Sequence, residues 1–212
     1  MPAKLSDDTK LTVLNDHYNN TVADFKELGK SRELNFAAIL VLLGVMAFQY
    51  VSPTQSQSVL TQFVQNKLEV DAAISVNLIA SLVWFALLYV AIRYFQNVIN
   101  IEKQYNYTHE LENELAKHYD GKAFTREGKA YLNNYAIFSD WVHIIYWYLF
   151  PLLFTAVITV KIVGEWAANN QNSLQVWLNT AIYASLVIST TLYVFSLNRT
   201  KKNSKKDVKS KR

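Results

Sequence analysis

Four runs of apolar residues, set apart by polar and charged segments, frame this chain. The first, Leu34 to Val51, holds 18 residues and no charge. As a helix rising 1.5 Å per residue it covers about 27 Å, close to the thickness of a bilayer's hydrocarbon core. Pro53 follows and biases Ser52 away from helix, which predicts a stop there. The second run spans 72–95, and its one charge, Arg93, is near enough to the end to snorkel. The third spans 141–163, with His143 and Lys161 towards its ends and Pro151 inside, where a kink is predicted. The fourth spans 174–197 and is uncharged. Buried helices of soluble domains seldom run this long without charge. The pattern therefore predicts an all-α polytopic membrane protein with four transmembrane helices and helical cytoplasmic extensions.

The polar segments carry a helical period of their own. Leu11, Leu14, Tyr18, Val22, Phe25 and Leu28 recur at steps of three and four, so residues 1–33 contain an amphipathic helix, with Gly29 as its weak point. No Gly or Pro interrupts residues 72–119, so the second span is expected to continue as a helix into segment 96–140. Ile101, Tyr105, Thr108, Leu111, Leu115 and Tyr119 form its stripe, and packing of the two stripes on each other, within or between subunits, is the simplest use for both, with recruitment of a separate partner as the alternative. Asp120-Gly121 signals a turn. The aromatic residues Tyr131, Tyr135, Phe138 and Trp141 then suit an interfacial stretch, with Ser139 or Asp140 as N-cap of the third span.

Composition alone would hide this. Of 212 residues 51% are hydrophobic and 18% charged, with mean hydropathy +0.03, because charge is segregated rather than scarce. Lysine and arginine decide the orientation. If all four spans insert, 19 of the 21 fall on one side; Lys67 and Lys161 are the exceptions. The positive-inside rule then places both termini and residues 96–140 in the cytoplasm, and 52–71 and 164–173 outside. Residues 1–33 are too long and polar for a signal sequence, so the first span is expected to be retained. Tyr50, Tyr94, Trp141, Trp147, Trp166 and Trp177 lie towards span ends, where amphipathic rings prefer to sit. The tail 198–212 has eight basic residues and one acid and reads as disordered, with Lys201, Lys202, Lys205, Lys206 and Lys209 as candidate contacts to anionic lipid or an acidic partner. It lacks the interleaved aromatics of a nucleic-acid module, so direct nucleic-acid binding is not expected.

Candidate chemistry is sparse. The absence of cysteine excludes disulfides and thiolate sites. No metalloprotease helix, phosphate-binding glycine loop or nucleophile elbow occurs. His109, Glu110 and Glu112 read as a solvated polar face whose members point apart, not as a metal centre. No span as bounded above contains Asp or Glu, which speaks against a proton-coupled transporter. No catalytic residue, cofactor or metal is expected. What remains is uncharged: Asn77 and Ser81 in the second span, and Asn179, Ser185 and Ser189 in the fourth, the serines in a small-residue stripe with Ala181. Such residues serve either close helix contact or, across several subunits, a pore lining.

The segment from Val98 to Phe154, with Phe124-Thr125-Arg126-Glu127-Gly128-Lys129 at its centre, resembles small multipass membrane components of bacterial antiphage defence systems. The Kiwa membrane subunit and SLATT-type effectors share its layout, although SLATT-type proteins carry two spans where this chain has four. The resemblance covers roughly residues 10–165 and carries over no functional residue. It implies a location in the bacterial inner membrane and a defence role as envelope sensor or effector anchor. The expected protein is therefore non-enzymatic, embedded in the lipid bilayer, homo-oligomeric and paired with a cytoplasmic protein. The alternative is a pore-forming effector that depolarises the membrane.

Overall fold

The computed structural model describes residues 7–68, 76–117, 141, 144–168 and 174–210. The Asp120-Gly121 turn, the 124–140 aromatic stretch and the Ser139 or Asp140 cap lie outside this set. Every element among the described residues is helical: α1 (Asp7–Val51), α2 (Pro53–Leu68), α3 (Val76–Ala116), α4 (Phe150–Ala168) and α5 (Leu174–Ser210). Among the described residues, four helices are long and apolar enough to cross a membrane.

The helices outrun the apolar stretches. Helix α1 passes through Gly29 without a break and ends at Val51, where Pro53 intervenes. Pro53 then opens α2 in place of a plain loop. A first helical position suits proline, since its missing N–H would have no intrahelical partner there. The Ser56 amide donates to Ser52 O at 2.9 Å, and the Ser56 hydroxyl to Pro53 O at 2.9 Å, so the chain turns through a kinked but bonded junction. Helix α3 carries the second apolar run and its polar continuation as one uninterrupted element, because nothing between Val76 and Ala116 breaks it.

Pro151 is accommodated by a wide turn. Residues Ile145–Leu149 form a π-helical segment, and the Phe150 N–H reaches back to Ile145 O. A proline lacks its N–H and presses on the carbonyl four residues earlier; the wider turn lifts that carbonyl away. Helix α5 continues past the apolar run to Ser210, so the basic tail, expected to be disordered, is helical in its backbone. Lys and Thr are tolerable helix formers, and the tail inherits a nucleus from the apolar helix before it.

Two packed regions result. In the bundle, Ile39, Met46, Trp84, Leu87, Phe154, Ile158 and Leu186 are buried together. Towards one end the bundle holds an aromatic cluster. Phe36 sits 5.0 Å from Phe150, and Phe95 stacks on Tyr193 with centroids 4.5 Å apart and planes at 22°. Tyr94 and Trp147, expected at an interface, are instead core residues at 1% and 8% exposure. At this end α1, α3 and α5 all run on beyond the bundle, and we call it the stalk end. The opposite end, where α2 and α5 begin, is the loop end.

In the stalk, α1 and α3 run antiparallel and their stripes meet within one chain. His17 Nε2 lies 2.6 Å from the Tyr107 hydroxyl, the Tyr18 hydroxyl donates to Glu112 Oε1 at 3.3 Å, and Asn97 Nδ2 donates to the Ser31 hydroxyl at 2.9 Å. Thr21, Leu111, Glu112 and Leu115 are buried there. Residues 7–33 of α1 extend about 40 Å at 1.5 Å per residue.

Candidate functional site

The strongest polar constellation in the bundle was not anticipated. The third apolar run was bounded at Val163, but α4 continues to Ala168 and carries Glu165 with it. The expectation of apolar helices without a carboxylate is thus corrected. Helix ends follow the backbone and its packing, not the last apolar residue.

Glu165 is buried, its side chain 10% exposed, and three neighbours meet it. From one turn earlier on α4, Lys161 Nζ lies 3.2 Å from Oε1, with its own side chain 11% exposed. Trp84 of α3 donates its indole N–H to Oε1 at 3.0 Å. Asn179 of α5 donates Nδ2 to Oε2 at 2.8 Å. The i, i+4 spacing puts Lys161 and Glu165 on one face of α4. Indole and amide come from helices on either side, so one carboxylate ties α3, α4 and α5 together. Burying two charges is costly, and mutual attraction offsets that cost only when hydrogen bonds satisfy the rest of the pair. Trp84 and Asn179 do this for the carboxylate.

A second polar contact flanks the first. The Trp166 indole donates to the Thr180 hydroxyl at 3.0 Å, and Trp166 meets Trp177 edge-to-face at 5.2 Å. On the other side of Glu165 lies Gly164, covered by the Tyr50 ring of α1. A methyl on Gly164 would stand 2.6 Å from Tyr50 Cε2. Tyr50 is half exposed and can rotate outwards. Gly164→Ala is therefore expected to cost about 1 kcal/mol or less, the low end of overpacking, because the ring gives way. The double variant Gly164→Ala/Tyr50→Ala should recover most of that loss in denaturation of the detergent-solubilised chain. Equal stability of single and double variants would show that the contact carries no strain.

The residues singled out from the sequence are dispersed. Asn179 is fully buried and belongs to the Glu165 cluster, and its Oδ1 makes no hydrogen bond among the described residues. Ser81 is buried on α3 at 6% exposure. Ser185 and Ser189 donate to Ala181 O and Ser185 O of their own helix and lie on its outward side, not in the bundle. The side chains of Asn77, Lys201, Lys202, Lys205, Lys206 and Lys209 lie outside the described residues. One reading of direction is corrected. His109 and Glu112 do not point apart: spaced i, i+3, they bring His109 Nδ1 to 3.9 Å from Glu112 Oε2, and Glu112 is 4% exposed rather than solvated. Among the described residues no three His, Cys, Asp or Glu side chains converge on a metal position.

Glu165 left one signal in the sequence: Lys161 and Glu165 are opposite charges four apart beside an apolar run. Its partners left none, since 81 residues separate Trp84 from Glu165. No protein-family model matches the chain, and no curated protein and no solved structure matches it significantly.

Proposed function

We propose that this chain is a non-enzymatic, multi-pass protein of the bacterial inner membrane that holds or signals to a cytoplasmic protein through its stalk. The observation that carries the reading is the continuity of α1 and α3. Each leaves the apolar bundle as one unbroken helix, and hydrogen bonds at His17–Tyr107, Tyr18–Glu112 and Asn97–Ser31 join the two. A paired rod of this kind has no use inside a bilayer. It suits presentation of a surface, with large apolar side chains such as Val13 at 60% exposure, to something in the cytoplasm.

The same continuity supports a sensor. Trp84, at the loop end of α3, is bonded to Glu165, so a change in packing there bears on a helix that also builds the stalk. Homo-oligomerisation and a place in antiphage defence complete the proposal, the latter on the strength of the resemblance described above.

Orientation is open to a direct test, because the chain has no cysteine of its own. A cysteine at exposed Ser58 should react with a membrane-impermeant maleimide on intact spheroplasts. One at exposed Asp24 should react only after lysis. The reverse pattern would exclude a cytoplasmic stalk. Partner contact is tested by a photo-crosslinking amino acid at Val13, with outward Phe195 on α5 as control. A discrete protein adduct from Val13 alone supports the anchor; adducts from neither position, at confirmed expression, oppose it.

A pore is the second reading, favoured by the outward hydroxyls of Ser185 and Thr191 on α5, which several copies could bring together. Rapid loss of membrane potential on expression, removed by Ser185→Leu/Ser189→Leu, would select it over the anchor.

A further inference from the structure

At the stalk end of the bundle a groove of about 490 Å³ lies between α5 and the start of α4, lined by Tyr148, Pro151, Thr155, Thr191, Phe195 and Asn198 among others. We infer that this groove seats an acyl chain of an anionic phospholipid, with the headgroup phosphate held at Arg199. The inference rests on the reading of the chain as membrane-embedded and adds to it a lipid class and a place.

The lining suits an acyl chain. Tyr148 belongs to the π-helical turn Ile145–Leu149, and Pro151 follows that turn, so the widened stretch of backbone forms one wall. Polar atoms along the groove are already satisfied within their own helices. Thr155 donates to Pro151 O, Thr190 to Leu186 O and Thr191 to Val187 O, each at 2.8 Å. At one end the Tyr148 hydroxyl donates to Asn198 Oδ1 at 3.3 Å, across from the π-helical turn to α5. An occupant therefore needs no hydrogen bond along the length of the groove, and its volume falls in the range of sites that hold apolar bodies of ligand size.

Charge selects the headgroup. Arg199 is exposed and follows Asn198 directly. It stands four residues after Phe195 and eight after Thr191, which puts it on the groove's side of α5. From Arg199 onwards the sequence holds eight basic residues and one acid, a composition that attracts anionic headgroups. A second groove gives the contrast. It lies between α1 and α4 at the loop end, measures about 250 Å³ and is lined by Met46, Tyr50 and Val160. Its cation, Lys161, is bound to Glu165 at 3.2 Å, so that groove has apolar walls and no charge to spare for a phosphate. A second copy of the chain fits the stalk-end groove less well. Two α5 helices related by a two-fold axis along the membrane normal would set one basic tail beside the other, where like charges repel.

The test places a diazirine amino acid at Leu152, which lines the groove and is 67% exposed. The control is Leu34 of α1, 72% exposed and two residues from Phe36, which packs on Phe150 at the same end of the bundle. The full chain is set in nanodiscs of phosphatidylcholine with a minor share of phosphatidylglycerol of identical acyl chains, and adducts are identified by mass spectrometry. Phosphatidylglycerol is expected to be enriched about fivefold at Leu152 relative to Leu34, the gain one basic residue gives at an anionic headgroup. Arg199→Gln should remove that enrichment and Arg199→Lys should keep most of it. Thr191→Trp, a bulky change at an exposed position, should remove it by filling the groove. Equal enrichment at Leu152 and Leu34 would be the general field of the basic tail and would overturn the site, as would enrichment that survives both Arg199→Gln and Thr191→Trp. Adducts at Leu152 to a second copy of the chain, in place of lipid, would make the groove a subunit interface. Absence of lipid adducts at both positions would overturn the membrane reading itself, whereas adducts at both in the proportions of the nanodisc would overturn the lipid site alone.

Discussion

Replacing Glu165 by leucine is expected to destabilise the bundle by about 3–5 kcal/mol, the usual loss when one partner of a buried ion pair is removed. The variant leaves three orphans. Lys161 keeps a buried ammonium without its counter-ion, and the Trp84 indole and Asn179 amide lose their acceptor. The double variant Lys161→Met/Glu165→Gln should recover most of that loss despite removing both charges. The new amide offers an oxygen to the Trp84 indole, and a flip of the Asn179 amide, whose Nδ2 now meets Glu165 and whose Oδ1 is unbonded, would give the new N–H an acceptor. Unfolding of the solubilised chain by increasing sodium dodecyl sulfate, followed by tryptophan fluorescence, measures both. If the single and double variants lose the same amount, the pair holds no net electrostatic role and the helices are held by packing alone.

Trp84→Ala is expected to lose a similar amount, about 3–5 kcal/mol, for a different reason. Trp84 is fully buried among the bundle residues, and truncation leaves a cavity that helices tied by the Glu165 cluster cannot close. Trp84→Phe separates the two contributions. It keeps most of the packing and deletes only the hydrogen bond to Glu165, so a loss of about 1–3 kcal/mol is expected. Repeating Trp84→Phe in the Lys161→Met/Glu165→Gln background should reduce its effect, since residues in one hydrogen-bonded network do not act additively. Equal losses in both backgrounds would mean that the indole N–H matters little and that Trp84 acts as bulk. These measurements also bear on the sensor proposal. If the cluster couples the loop end to the stalk, Trp84→Phe should alter stalk crosslinking from Val13 while the chain remains folded.

The count and rough placement of the long helices were legible because the forces that set them act locally. An uncharged run of 18 or more residues leaves a helix little alternative, and Pro53 stops it wherever the rest of the chain goes. The stripes of α1 and α3 were legible too, since a helical period needs no partner to be read. That they would meet each other, antiparallel and within one chain, was one of two arrangements the period allows. Only the contacts from His17 to Tyr107 and from Ser31 to Asn97 distinguish them.

What tertiary structure alone decided is which polar residues matter. Ser185 and Ser189 read as helix-contact or pore-lining residues, and the structure sets both on the outward side of α5, bonded to their own helix. Glu165 looked like a loop residue, yet it is the group on which three helices converge. Glu112 looked solvated and lies buried beside a cavity. Sequence by itself determined where this chain is apolar, where it is charged and where its long apolar helices lie, because those depend on neighbours a few residues away. The role of each buried charge was decided by Trp84, Asn179 and Tyr18, and packing, not spacing along the chain, brings those groups to it.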